Sequence, residues 1–426
     1  MNNLNVKRKK IGKFDVCVCG GGIAGVCAAV TAARNGAKVI LVESLSSLGG
    51  TVTEGIMGNI MDGKNKGGLI TEIYNFLEEK NLTCANRGPK VDASGKRIGG
   101  RIIDVEGAKF FFEKICVEAG VRILYSSTVF HACHKDGHIN SIIIATYCGN
   151  YEVEADIYID ATGNGNLSDL VDLKWEIGNP PNPASLSVTL GGLSKDYDGT
   201  DSFEEKTKYG AMLKDAGYSS SAEQITIKKT PCLERWCAGY NFEYNVMPDD
   251  IERYSDAIID ARKEAVSFIE AHKKIKGCEN VYLADTASYL GVREGRRVFG
   301  EYRITVDDII EGRKFEDGIC TVTMVVDLHK TKEDDTIECQ RGIKTKPYHI
   351  PYRSLVPSGT DNMLLAGRCI SGDFFPFASY RVIGNMATVG EAAGYAASLC
   401  LKNKISPKDV DGKKVSEYMK TLGHEI

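Results

Sequence analysis

The chain has no Cys-x-x-Cys pair, although 14 cysteines occur among its 426 residues. Structural zinc sites and iron–sulfur clusters are commonly built on such paired thiols. Neither of the two close pairs, Cys17/Cys19 and Cys232/Cys237, is such a pair, no four-cysteine spacing for either kind of site occurs, and the other cysteines are scattered, mostly in apolar segments. Reduced, structural thiols of a cytoplasmic protein are expected, not a disulfide scaffold. An excess of positive charge is missing too. Lys plus Arg total 53 against 57 Asp plus Glu, a formal charge of -4, so the electrostatic footprint of a nucleic-acid partner is absent. No long apolar run survives either: Val16 to Ala33 is broken by Gly20-Gly21-Gly22 and Gly25, which argues against a membrane span. The basic run Lys7-Arg8-Lys9-Lys10 is followed by Gly12-Lys13, where the apolar core of a signal peptide should start. Internal repeats, coiled-coil heptads and low-complexity tracts are also lacking.

What is present is a normal globular balance, 43% apolar and 26% charged, in a chain long enough for two or three domains. Glycine is in excess: 45 residues, against a usual share of about 7%. The most informative glycines come early. Phe14 to Cys19 reads as a buried parallel strand. Gly20-Gly21-Gly22-Ile23-Ala24-Gly25 follows as G-x-G-x-x-G, then an Ala-rich helix to Asn35 and a second strand, Lys38 to Val42. That strand ends at Glu43, 18 residues after the third glycine, with Ser44 next. In such a βαβ unit Gly20 permits the tight turn, Gly22 lets the backbone approach a pyrophosphate, and Gly25 lets helix and strand pack closely. Ile23 and Ala24 open the helix whose N–H groups face the phosphates, and Glu43 can accept hydrogen bonds from ribose hydroxyls. The nucleotide is NAD or FAD on this evidence alone. Leu48-Gly49-Gly50-Thr51, just past the second strand, favours the more extended FAD.

Further on, Asp104 to Ala119 reads as a helix, Val121 to Tyr125 as a strand, and Thr128–Ala132 with Ile139–Ala145 as a hairpin around Lys135-Asp136-Gly137. Val129 of that hairpin is placed with the cofactor set. Tyr151 to Ile159 is a strand that runs into Asp160-Ala161-Thr162-Gly163. The composition then changes. Ala184–Leu190 reads as a strand and Asp249–Ile275 as one long helix, followed by a buried strand, Asn362–Ala366, and a small-residue helix, Asn385–Leu401.

Taken in order, these motifs resemble the family of FAD-dependent oxidoreductases distantly related to fumarate reductase flavoproteins and the glutathione reductase superfamily. The resemblance rests on the glycine fingerprint with Glu43, on Gly49-Gly50-Thr51 and on Ala161-Thr162-Gly163. It extends through Leu290 to Arg297, Tyr348 to Arg353, Leu365-Ala366-Gly367-Arg368, Ser379-Tyr380-Arg381 and Gly390 to Ala397. It implies an α/β protein: a Rossmann-like FAD-binding domain of glutathione reductase superfamily type with an inserted α+β substrate or cap domain. The expected boundaries are 12–171 and 358–402 for the FAD-binding parts, 172–357 for the cap, and 403–426 for a C-terminal tail. Two departures stand out. Arg368 occupies the place where related flavoproteins carry an acid for the ribityl chain, with Asp373 five residues on, and the sequence leaves open which residue serves. A second complete fingerprint for a nicotinamide domain is absent.

The flavin supplies redox chemistry, so the protein must place a substrate and move a proton. Gly384-Asn385-Met386 begins a helix whose N–H groups suit the pyrimidine end of reduced flavin. Arg381, beside an aromatic run, and Arg293, in the run Arg293-Glu294-Gly295-Arg296-Arg297, are the candidates for charge stabilisation. For the first the competing reading is a bracing ion pair, for the second a solvated turn. His329 and His349 are candidates for proton transfer, against the commoner role of structural hydrogen bonding. No metal is expected. His131, Cys133, His134 and His138 flank one turn, but alternate strand positions face opposite ways. Cys369 reads as a buried thiol. The expected function is hydride transfer between a small organic substrate and flavin N5, with an unidentified electron acceptor or donor and with a homo-oligomer compatible. The alternatives are an electron-relay subunit and a flavin-dependent RNA-modifying enzyme.

Overall fold

The computed structural model describes residues 6–85, 101–219, 221–222, 224–232, 234–329 and 343–426; part of the expected cap segment, 330–342, lies outside them. The chain opens with strand β1 (Lys9–Cys19), helix α1 (Ile23–Arg34) and strand β2 (Val39–Val42). Helix α2 (Val105–Glu118) follows, its N-terminus capped by Asp104, whose carboxylate accepts from Gly107 N–H at 2.7 Å. Strands β3 (Arg122–Leu124), β4 (Ser127–Lys135), β5 (His138–Thr146) and β6 (Gly149–Asp160) complete the run. The sheet order is β3-β2-β1-β6-β5-β4, and the late strand Met363–Leu365 pairs with the C-terminal end of β6. All pairings of β1, β2, β3 and the late strand are parallel, whereas β4, β5 and β6 form an antiparallel meander. Asp136 (φ 51°) and Gly137 (φ 80°) both adopt positive φ at the β4–β5 turn, the geometry that a two-residue hairpin favours.

The parallel centre is covered on both faces, which is why β2 is wholly apolar and wholly buried. Helix α1 is buried along Ile23 to Ala32 because the last long helix lies against it. That helix, discussed below as α6, carries Gly390 and Gly394 at the contact. A Cβ there would stand 2.1 Å from the Ala24 carbonyl oxygen and 2.3 Å from that of Ala28, so the two backbones touch only because these residues are glycine.

A second sheet holds β7 (Val188–Gly191), β8 (Thr226–Lys229), β9 (Arg235–Gly239) and β10 (Tyr282–Thr286), all antiparallel, in the order β8-β9-β7-β10. Helices α3 (Phe203–Asp215) and α4 (Ile251–Lys273) accompany it. Ala257, Ala261, Ala265, Phe268 and His272 make the buried stripe of α4 at helical spacing. This sheet has its own cluster of buried side chains, including Trp236, Tyr240 and Phe268. The chain then supplies α5 (Phe374–Tyr380) and α6 (Ile383–Asn403). The segment expected as a tail contains a further helix, α7 (Gly412–Thr421), which buries Val415 and Met419. Its final turn is tied down by His424, whose Nε2 lies 2.9 Å from the buried Glu391 carboxylate of α6. No helix among the described residues is long and apolar enough to cross a membrane.

Candidate functional site

The C-terminal ends of the parallel strands gather three loops at the N-terminus of α1. Gly20 has φ 101°, and a Cβ on it would lie 2.5 Å from the Ala161 carbonyl oxygen. Gly25 is tighter still: a Cβ there would meet the Gly20 carbonyl oxygen at 1.8 Å. Both glycines are required by the protein's own packing. Gly22 is different. It caps α1 at φ -62° and ψ 175°, and a Cβ would meet no protein atom within 4 Å. Ile23 and Ala24 are buried behind it in the first turn. Gly49 N–H donates to the Gly21 carbonyl at 2.8 Å, and Gly49 (φ 105°) and Gly50 (φ 54°) fold the Gly-Gly loop over the fingerprint. Thr51 Oγ1 meets the Tyr289 hydroxyl at 2.9 Å.

Glu43 is buried, and its carboxylate accepts from Gly21 N–H at 2.5 Å, Leu45 N–H at 2.7 Å and the exposed Ser44 hydroxyl at 3.0 Å. Here it braces the glycine loop. Its main-chain carbonyl accepts from Ser127 N–H at 2.9 Å, which brings the start of β4, with the half-buried Val129, beside the same end of the crevice. The Asp160 carboxylate accepts from Thr162 N–H and hydroxyl and from Ser168 N–H and hydroxyl, at 2.7–3.1 Å. That set shapes the Ala161-Thr162-Gly163 turn against Gly20.

Arg368 joins this turn from the late strand. Its Nη2 donates to Asn164 Oδ1 at 2.7 Å, and Gly163 (φ 73°) lies so close that a Cβ would stand 2.9 Å from Nη1. Burial lowers the Arg368 pKa, partly offset by the neighbouring Tyr289. Its Nε is buried without a partner among the described residues. Gly367 turns at φ 95° against Ala24. At the start of α6, Gly384 N–H donates to the Met61 carbonyl at 3.0 Å, so one of the N–H groups expected to face the flavin is already used. Asn385 and Met386 are buried beside it, and Asn385 Nδ2 has no partner among the described residues.

A second cluster joins segments far apart in sequence. Arg381 Nη2 donates to the Asp327 carbonyl oxygen at 2.8 Å and lies 3.5 Å from the Asp327 carboxylate. His329 Nε2 lies 3.7 Å from the same carboxylate. The His329 ring packs 4.9 Å from that of Phe242, whose other neighbour is the Arg293 guanidinium at 5.3 Å. Burial, then the Arg293 charge, depresses the His329 pKa, so the ring is neutral near pH 7. Burial alone would raise the Asp327 pKa, but His329, Arg381 and Arg293 outweigh it and hold the carboxyl well below the usual range. Burial and the Arg381 charge lower the Arg293 pKa to about 10.

Two expected site residues lie elsewhere. His349 is buried, its Nδ1 accepts from Phe315 N–H at 3.2 Å, and the charges facing it are Lys314 and Lys420. Burial, then Lys314, holds its pKa at about 4. The folded ring therefore refuses a proton that the unfolded chain, with a histidine pKa of about 6.5, takes up. Stability should be lost as pH falls from 6.5 towards 4, by about 1–2 kcal/mol from this residue. Urea midpoints at pH 7 and 4.5 should show a shallower acid loss in His349→Gln, which keeps an acceptor for Phe315. Equal losses in the two proteins would remove His349 from the acid response. Asp373 is paired with Arg303, which also holds Glu176, which in turn holds Arg297. Arg297 ends that chain on the fully buried Glu294. Of the charge run 293–297, Glu294 and Arg297 thus belong to this network, Arg296 pairs with Asp169, and Arg293 joins the other cluster.

The profile of the FAD dependent oxidoreductase family matches residues 15–419, nearly the whole chain. The chain belongs to that family. FAD is its cofactor, and the residues fit it: Gly22 leaves an open cradle at a helix N-terminus, and Asn385 Nδ2 and Arg368 Nε are buried polar atoms awaiting partners. The oxidoreductase is 27% identical over 154 residues to digeranylgeranylglycerophospholipid reductase 2 of Methanothermobacter thermautotrophicus, a stretch covering 35% of this chain and 40% of that protein. Its fold is similar to the solved structure of a geranylgeranyl bacteriochlorophyll reductase-like protein from Thermoplasma acidophilum, with TM-score 0.50 and 13% identity over 97% of this chain and 92% of the other.

The structure adds residues to this oxidoreductase that no motif marks. Asp327, Phe242 and Tyr289 line the two clusters. Lys66 is buried and donates to Asn65 Oδ1 and the Thr321 carbonyl, both at 2.6 Å, with no carboxylate in ion-pair range among the described residues. Among the described residues no group of three His, Cys, Asp or Glu can hold a metal ion. His138 instead faces Asp361 at 2.8 Å, and His134 faces Asp172 at 3.6 Å. Cys369 is fully buried, which raises its thiol pKa well above the ordinary value.

Proposed function

We propose that this FAD-dependent oxidoreductase transfers hydride between a small organic substrate and the flavin N5, as a dehydrogenase or reductase. The observation that carries the reading is the Arg381–Asp327–His329–Arg293 cluster. When bound, FAD supplies a two-electron hydride acceptor or donor. Gly22, the α1 N-terminus, Glu43, the 49–51 loop and the 161–163 turn hold the dinucleotide, with Arg368 and Asn385 towards the flavin. Arg381 stabilises negative charge that develops on the substrate, and the ion-pair role with Asp327 positions it. His329, neutral and oriented through Nε2 by Asp327, holds or moves a proton at Nδ1. Residues 172–357 act as an inserted substrate domain of the glutathione reductase-type arrangement. That division is supported by the separate buried cluster of the second sheet and by its supply of Phe242 and Arg293 to the site.

The test is an anaerobic screen of small molecules that follows loss of the flavin's visible absorbance. Rapid, saturable bleaching by one compound supports the reading, and bleaching only by a protein electron donor would replace it with electron relay. NADH and NADPH form a separate arm. With no second fingerprint, their reduction of the flavin should be slow and unsaturated below millimolar concentration. Fast, saturable reduction would reveal a nicotinamide site.

A further inference from the structure

We infer that the substrate is an organic monocarboxylate, seated on the guanidiniums of Arg293 and Arg381 with its carbon body against Phe242. The inference rests on the hydride-transfer reading above and adds the chemical class of the substrate.

Three observations carry it. The first is the charge balance of the cluster. Arg293 and Arg381 are cations, Asp327 is an anion and His329 is neutral; the next carboxylate acting on Arg381, Glu294, is already paired with Arg297, so one positive charge of the cluster has no counter-charge. The Asp327 carboxylate faces Arg381 at 3.5 Å and His329 at 3.7 Å. Arg293 has no carboxylate in ion-pair range among the described residues. Its hydrogen-bond partners among the described residues are neutral acceptors, the Pro183 carbonyl at 2.7 Å and the Ser185 hydroxyl at 2.8 Å, both on Nη1. Arg293 is half-buried, and a cation partly withdrawn from water without a counter-ion is one that an anionic ligand can complete.

The second is the set of donors left over. Arg293 uses Nη1 alone, which leaves Nε and Nη2 without partners among the described residues. The Arg381 side chain is 10% exposed, and its Nε is buried and unpartnered. A planar guanidinium edge with Nε and one Nη unused is the shape that takes a carboxylate with two parallel hydrogen bonds.

The third is the apolar wall. The half-buried Phe242 lies 5.3 Å from the Arg293 guanidinium and 4.9 Å from the His329 ring. Rings beside cations give an organic anion a surface for its carbon body, whereas inorganic phosphate has no use for one.

The experiment is calorimetric titration of the FAD-loaded protein with sodium benzoate, sodium acetate, neutral benzamide and inorganic phosphate. Benzoate should bind at least tenfold more tightly than benzamide, which shares its shape but lacks the charge. Arg293→Gln should weaken benzoate at least tenfold with FAD content and melting temperature unchanged, and Arg293→Lys should recover only part of the loss. Equal binding of benzoate and benzamide, or binding of neither benzoate nor acetate, would overturn the carboxylate assignment. Phosphate binding more tightly than benzoate would overturn it as well. If Arg293→Gln fails to fold, Ser185→Ala, which frees the guanidinium from one anchor, must still alter benzoate affinity relative to benzamide. A protein that takes up no FAD sinks the hydride-transfer reading, whereas a flavin-loaded protein indifferent to carboxylates sinks this inference alone.

Discussion

Gly22→Val is expected to give folded, colourless protein. The position has ordinary extended dihedrals, φ -62° and ψ 175°, which valine adopts without strain. A Cβ would meet no protein atom within 4 Å, so the apoprotein has no objection to the side chain. The side chain would fill the open space at the α1 N-terminus, where the proposed site seats the FAD pyrophosphate. Gly25→Val provides the contrast. Its Cβ would stand 1.8 Å from the Gly20 carbonyl oxygen, which forces helix and strand apart. The cost should exceed the ~1–3 kcal/mol typical of overpacking, and little folded protein should be recovered. The measurements are flavin absorbance per protein and a melting curve. Gly22→Val protein that retains FAD at full occupancy and wild-type affinity would take Gly22 away from the cofactor.

That contrast shows what the sequence can and cannot reveal. The three glycines announce a βαβ unit, and the elements follow the apolar periodicity closely: the helix expected over 249–275 is α4, Ile251–Lys273, and the hairpin around Asp136-Gly137 is β4–β5. Their determinants are local, so the chain displays them locally. The Arg293–Arg297 run was ambiguous because burial is a tertiary property. Its members part company in space, Arg293 towards Phe242, Arg296 towards Asp169, and Arg297 with Glu294 into the Glu176–Arg303–Asp373 network. Asp373 looked free to hold a ribityl chain because nothing nearby in sequence declares that Arg303 will claim it. Asp327 lies between Val326 and Leu328 with no motif around it. Only the fold brings it under Arg381, through the bond from Asp327 N–H to the Ala378 carbonyl at 3.2 Å. The 403–426 segment lacked a strong signal for the same reason: what fixes it is the contact of His424 with Glu391, 33 residues away.

Arg381→Met is expected to keep fold and FAD while slowing flavin reduction by ~10²-fold or more, the usual loss when one preorganised donor is removed from a dry site. The guanidinium lies 5.7 Å from the Phe377 ring and is almost wholly buried, so its charge is poorly screened. Methionine keeps much of the volume and removes the charge. Arg381→Lys should restore only part of the rate, because an ammonium lacks the planar fork that spans the Asp327 carbonyl and an incoming anion. The competing account is that Arg381 merely braces α5 against the 327–329 segment. A pH profile separates the two. Burial depresses the His329 pKa first, but Arg293 and Arg381 add to it, whereas Asp327 opposes them. Losing Arg381 therefore raises the His329 pKa, and the acidic limb of the reduction rate should move to higher pH. A bracing role would lower the melting temperature instead, with the loss of about 3–5 kcal/mol seen when one partner of a buried pair is removed. If Arg381→Met melts early yet reduces at the wild-type rate with an unmoved pH profile, Arg381 is a strut and the negative charge of the reaction is stabilised elsewhere.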